Sequence, residues 1–245
     1  MFNKKFITAV DKLTLGIVLL VLFVLVGYSQ KVNNPNKIQI KENPIKSISN
    51  REASFESPKK SVAEILSDLA NQKFLIKEDK ISDCDYETIA NFGKAFVNLY
   101  TGAVAKQERV SFENYISNEN LLKFVNKMLE LEQKKELKGG IGVIFGLENE
   151  FNELEFRILN ENLCYLNLYF SNQGSGMSCK MLVQSEKKSL KISDLYFGNK
   201  DGVDTIVTGH HKVRKLDNPE LWDDQEWING VFEKLEKYEY ELLNK

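Results

Sequence analysis

The sequence predicts an α+β fold standing behind a transmembrane helix. Three observations predict it. Residues 13–30 hold no charged side chain, and Leu15–Tyr28 is apolar apart from its glycines. Two later stretches, 86–105 and 118–137, repeat apolar residues at steps of three and four, the period of a helix packed on one face. From residue 151 the period drops to two, the pattern of strands with one face on a core. The chain then divides into a short N-terminal tail (1–12), a transmembrane helix (13–30), a flexible tether (31–60), a short helix and linker (61–83) and an α+β domain (84–245).

Eighteen residues at about 1.5 Å rise make roughly 27 Å of helix, enough to cross a hydrocarbon core. From Ile17 to Val26 every helix face is apolar, which argues against a core helix with a polar stripe. A cleaved signal peptide would share the basic start at Lys4 and Lys5 and the small residues Gly27 and Ser29. The apolar stretch is long for that role and lacks Ala-x-Ala, so an uncleaved anchor is the reading preferred. Lys4, Lys5 and Lys12 precede the segment, and Lys31, Lys37, Lys41 and Lys46 follow it, so flanking charge nearly ties. A short basic N-terminus commonly stays inside while a long domain crosses, which places the domain outside the cytoplasm. No lipidation signal is visible, since Phe2 stands where myristoylation needs glycine.

The tether holds three of the four prolines, Pro35, Pro44 and Pro58, with too little apolar surface to offset the entropy of ordering. Its bias of seven Lys/Arg over three Asp/Glu could touch anionic headgroups, but a solvated tether explains it more simply. A short amphipathic helix follows, with Val62, Ile65, Leu66 and Leu69 on one face. The first long helix spans about Asp85–Ala105, with Ile89, Phe92, Phe96, Leu99 and Ala103 in one stripe. The second spans about Asn118–Leu137, with Leu121, Leu122, Val125, Met128 and Leu129 on one side, a cap at Ser117 or Asn118, and a stop at Gly139-Gly140.

Strands follow. Leu154, Phe156 and Ile158 alternate with Glu153, Glu155 and Arg157; Cys164, Leu166, Leu168 and Phe170 with Tyr165, Asn167 and Tyr169; Cys179, Met181 and Val183 with Lys180, Leu182 and Gln184. Turn residues separate them at 160–162, 172–176, 186–189 and 198–202. Residues 190–197 and 203–208 supply two more strands. Asp194 stands where a core residue belongs, which predicts a bulge or register change there. The last helix opens with Asn218 as cap and Pro219 at its first position, and its stripe is Ile228, Val231, Leu235, Tyr238 and Leu242.

Net charge is −2, which gives no argument for nucleic acid as a partner. Abundant Lys, Asn and Ile fit a low-GC bacterium. Of the three cysteines, Cys164 and Cys179 fall on neighbouring strands. A hairpin about 173–176 would set Phe170 against Cys179 and leave Cys164 about 20 Å away. A disulfide needs Cα atoms within about 7 Å, so two buried free thiols are expected. No CxxC spacing is present.

Residues 140–146 look like a glycine-rich nucleotide loop, but the third glycine is one place late and a charged helix precedes it, so a helix stop entering a buried strand is preferred. Residues 199–204 hint at a calcium loop, yet Phe197 and Thr208 would fill the first and twelfth positions and bring no carboxylate. His210 and His211, adjacent on a strand, would point to opposite faces and not share a metal. No cofactor or metal site is expected. Trp222 and Trp227 are candidate partner contacts, against a core role that is the simpler one.

Leading helices, an alternating antiparallel meander and a polar tether from one membrane helix together resemble the nuclear-transport-factor-2-like superfamily. The resemblance rests on Tyr86–Ala105, Asn118–Leu137 and the strands between Phe151 and Thr208, and covers residues 84–243. It implies a bent sheet folded around a helix as a cone, whose mouth can hold a ligand or stay plain core. The layout is similar to single-pass components of type IV secretion and conjugation machines that carry this fold. Three functions follow from the resemblance. The first is a non-enzymatic envelope protein that meets the bilayer through residues 13–30 and binds a protein partner or itself. The second is an extracytoplasmic binder of a small ligand in the cone. The third is an isomerase or dehydratase, for which Asp194 is the candidate pocket acid, against a bulge that turns it to solvent.

Overall fold

A computed structural model describes residues 60–137 and 149–244, with the side chains of 136 and 137 left aside. The expected membrane helix, most of the tether, the Gly139-Gly140 stop and the 140–146 strand lie outside the described residues. Among those described, no helix is long and apolar enough to cross a membrane.

Helix α1 (Val62–Asn71) starts from a reciprocal cap: the Ser61 hydroxyl accepts the Glu64 N–H, and Glu64 accepts the Ser61 N–H at 2.7 Å. Leu66, from its apolar face, is buried against helix α2 (Tyr86–Lys106) at Gly102, where a Cβ would come within 2.8 Å of Leu66 Cδ2. Ile65 stays largely exposed. Helix α2 is the centre of the domain. Its expected stripe, Ile89, Phe92, Phe96, Leu99 and Ala103, is wholly buried, and so are half of its remaining residues. Phe92, Phe96, Phe112 and Tyr115 stack around it with ring centroids 5.4–5.7 Å apart. Helix α3 (Glu119–Leu137) begins where Asn118 Oδ1 accepts the N–H groups of Asn120 and Leu121.

Four strands form an antiparallel meander in chain order: β1 (Glu150–Asn160), β2 (Leu163–Asn172), β3 (Ser175–Glu186) and β4 (Ser189–Tyr196). The mixed α+β class is as expected. Cys164, Leu166, Leu168 and Phe170 of β2 and Cys179, Met181 and Val183 of β3 face α2. The hairpin register differs from expectation by two residues, because the turn closes at Gln173-Gly174 and pairs Asn172 with Ser175. Leu168 opposes Cys179, Cys164 opposes Val183, and both thiols are buried and free.

A bulge falls on β4 as expected. Leu182 pairs with Asp194 and Val183 with Ile192, so Ser193 is the extra residue. It moves Asp194 from the helix-covered face of the sheet to the opposite one. That second face is not open to water there, because Leu163, Tyr165 and Leu182 form a small buried cluster with Leu216 packed on it.

Two expectations fail beyond the sheet. Residues 203–208 are not a strand but a short helix, α4 (Val203–Thr208). Val203 and Val207 bury one turn apart, and Asp204 folds the chain back by accepting the N–H groups of Phe197 and Gly198. The last helix, α5 (Gln225–Leu243), begins six residues beyond Pro219 and is capped by Asp224, which accepts from Glu226 and Trp227. Asn218 instead caps a turn by accepting the Glu220 N–H. The stripe of α5 is as expected, with Ile228, Val231 and Leu235 buried.

Candidate functional site

Asp194 is fully buried and does not turn to solvent. Arg214 Nη2 lies 2.5 and 2.6 Å from its two oxygens, Trp222 Nε1 donates at 2.9 Å, and the Leu195 N–H donates at 2.9 Å. Burial pushes the Asp194 carboxyl above its usual range, while Arg214 and Trp222 pull it back. Trp222 is sealed between Phe124 and Trp227, at centroid distances of 4.8 and 4.6 Å. The Arg214 guanidinium stands 5.5 Å from the Trp227 ring. The two tryptophans therefore brace a buried ion pair, Trp222 wholly inside and Trp227 half-buried.

A different set of acids gathers in a cavity of about 270 Å³. Tyr100 from α2, Met128, Glu132 and Lys135 from α3, Met177 from β3, Phe197 and the loop 199–202 line it. Leu121, Val125, Met128 and Glu132 fall on one side of α3, so Glu132 continues an apolar stripe with a carboxyl. Burial pushes that carboxyl up, against Lys135 and the Val203 N–H, which it accepts at 3.3 Å. Burial also pushes the Tyr100 hydroxyl well up, with Glu132, Asp204 and the Cys179 thiol adding to the effect. Lys135 reaches across the mouth to the Asp201 carbonyl at 3.0 Å. Asp204 closes the floor. Its carboxylate accepts the N–H groups of Phe197, Gly198 and Thr205 at 2.6–2.9 Å, which holds the 199–204 loop. The volume is below the range of drug-sized sites, so a ligand here would be small. Asp194 does not line this cavity.

The histidines differ from expectation. They lie in a turn after Gly209, whose φ is +112°, and not on a strand, so their ring centroids come within 3.7 Å. Among the described residues no group of three or more His, Cys, Asp or Glu could hold a metal.

The sheet's two edges are treated differently. β4 is covered: Leu190 donates to the Phe74 carbonyl, Ile192 donates to that of Tyr115, and Ile76 donates to Lys188 at the adjoining turn. β1 has no partner strand on its other side among the described residues. Its Phe156 meets Tyr86 edge-on at 5.6 Å, and Tyr86, Ile158 and Leu159 are each more than a third exposed. Sequence reading flagged Asp194 and the tryptophans but missed Tyr100, Glu132, Asp204 and Arg214. Of these, only Glu132 carried a signal, as a charge inside an apolar stripe. No family model, curated protein or solved structure matches the chain.

Proposed function

We propose that this chain is a non-catalytic binding and assembly protein of the cell envelope. Residues 13–30 anchor it, residues 31–60 space it, and an α+β domain resembling the nuclear-transport-factor-2-like superfamily docks other proteins outside the cytoplasm. A component of a secretion or conjugation machine would have this layout. The observation that carries the reading is the edge of β1, unpaired among the described residues, beside the exposed Tyr86, Ile158 and Leu159 and the partly buried Phe156. Native sheets usually cover or blunt such edges, and among the described residues this sheet is covered only on its β4 side. Asp194 gives no support to an isomerase or dehydratase, because it lies outside the cavity and is held by Arg214.

Two measurements test the proposal. Single cysteines at Ser47 and Ser175, in a chain lacking the three native ones, should both react with a membrane-impermeant thiol reagent on intact cells. Reaction only after lysis, with the protein in the membrane fraction, would put the domain in the cytoplasm and end the envelope reading. A photoreactive residue at Ile158 should give a discrete protein adduct in intact membranes, and one at Tyr240 on α5 should not. The cavity favours a second reading, a binder of a small ligand through Tyr100 and Glu132. In that case Tyr100→Phe and Glu132→Gln would abolish the thermal shift given by a screened ligand while leaving the fold intact.

A further inference from the structure

We infer that the cavity between α2, α3 and the loop 197–202 takes a small uncharged ligand, an apolar body about one ring in size that brings a hydroxyl to Tyr100 and Glu132; this rests on the small-ligand reading above. The size follows from the volume. An apolar cavity of about 150 Å³ holds benzene, and about 270 Å³ is present here. Met128, Met177 and Phe197, each less than a tenth exposed, wall the apolar part. The Phe197 ring lies 5.0 Å from that of Tyr100, so the apolar wall runs up to the phenol.

The hydroxyl follows from two polar groups left over. Tyr100 lines the cavity and is 2% exposed, yet its own hydroxyl has no hydrogen-bond partner among the described residues. A buried hydroxyl without a partner is costly, so it asks for one. Glu132 stands close: after burial, its charge is the largest cause holding the Tyr100 proton in place. Glu132 Oε1 accepts the Val203 N–H at a long 3.3 Å, and Oε2 accepts nothing among the described residues. One ligand hydroxyl answers both groups, because its oxygen donates one hydrogen bond and accepts two. It donates to Glu132 and accepts from Tyr100. Charge selects against ionic ligands. An anion would face Glu132 and Asp204, and the Asp204 carboxylate is already taken by three backbone N–H groups. A cation would pass Lys135 and Lys200 and meet a carboxyl that burial biases toward its protonated form.

The test uses the full chain in neutral detergent, with its methionine methyls labelled with carbon-13. Met128 and Met177 line the cavity, and Met181, buried in the core outside it, is the control. Toluene, benzyl alcohol, benzylamine and benzoate share one ring and differ in the group it carries. Each is titrated by NMR at neutral pH, with the free probe set by dialysis against protein-free micelles. Benzyl alcohol should shift the Met128 and Met177 methyls saturably and leave Met181 in place. It should bind about tenfold more tightly than the other three, the size expected for a hydrogen bond to a buried group. Tyr100→Phe should lose that advantage and still bind toluene, which shows that the variant is folded with its cavity intact. Preference for benzylamine or benzoate would overturn the uncharged class, and equal binding of toluene would overturn the hydroxyl; both leave the small-ligand reading standing. No shift from any probe, while a screened ligand still raises the unfolding temperature, would also overturn the class alone. Shifts only after residues 140–146 are replaced by glycine and serine would make the chain's own segment the occupant and overturn the inference. No shift in either chain, and no thermal shift from any screened ligand, would sink the small-ligand reading as well.

Discussion

Asp194 and Arg214 stand twenty residues apart in sequence and meet as a buried pair, with side chains 0% and 4% exposed. A buried pair adds little net stability, because desolvating both charges offsets most of their attraction. Breaking it is another matter. Asp194→Ala leaves the guanidinium buried without its counter-charge and should cost about 3–5 kcal/mol in urea unfolding. Asp194→Leu with Arg214→Met removes both charges but leaves the Trp222 Nε1–H and the Leu195 N–H without their acceptor, and should recover only part of that loss. If the double variant were as unstable as the single one, the pair would be contributing more than mutual neutralisation. Half of this pair was legible in the sequence. A charge in an alternating strand marked Asp194 and its bulge. Arg214 lies in a turn with no periodicity, so nothing local pointed to it. Without that partner, solvent was the natural place to send the carboxylate.

Helix α2 approaches the sheet at Gly93, where a Cβ would come within 2.4 Å of Leu166 Cδ2 and 2.9 Å of Leu168 Cδ1. Both leucines are fully buried, so neither side chain can swing away freely. Gly93→Ala gains about 1 kcal/mol of helix propensity and loses about 1–3 to overpacking, so it should lower the unfolding midpoint. Gly230, in the middle of α5, has open space where its Cβ would go. Gly230→Ala should therefore raise stability by about 0.5–1 kcal/mol. Opposite signs from one chemical change, read by thermal unfolding, check the packing of each helix separately. The long elements were the legible ones. Helices α2 and α3 match their periodic stripes to within a residue at each start, since a dozen or more residues vote on the period. α4 was misread because Val203, Thr205, Ile206, Val207 and Thr208 are β-branched, which favours a strand. Its helix is imposed from outside, by Asp204 holding the preceding loop and by Glu132 accepting the Val203 N–H. The cavity was invisible for the same reason, since its residues come from α2, α3, β3, α4 and the loop 197–202.

Among the described residues, the partly buried Glu132 and the buried Asp204 have carboxyls pushed upward, with burial the leading cause in both; Asp194 stands apart, because a proton on it would leave Arg214 without a counter-charge. The linkage of the first two to folding has a definite sign. A carboxyl with a raised value in the folded state holds its proton more tightly there than in the unfolded chain. Its contribution to stability is fully present below the ordinary carboxylate value and is lost as pH rises through the shifted one. Carboxylates held low, such as Asp79 by the Lys188 N–H and Glu239 by Lys127, act in the opposite sense. Asp79 is exposed to solvent and Glu239 lies partly exposed at the surface, where ion pairs carry little weight. The buried groups should therefore decide the profile above the ordinary carboxylate range. The unfolding temperature of the full chain in neutral detergent should rise as pH falls from neutral toward the ordinary carboxylate range, before protonation of the surface acids reverses the trend. Glu132→Gln, which takes one raised carboxyl out, should flatten that rise and stabilise the protein at neutral pH. A steady fall in unfolding temperature from neutral pH downward would mean that the buried carboxyls titrate no higher folded than unfolded. Glu132 would then be a carboxylate held in the cavity by Lys135 and the Val203 N–H. A small ligand bringing a cation to that wall would follow more naturally than one bringing a hydroxyl.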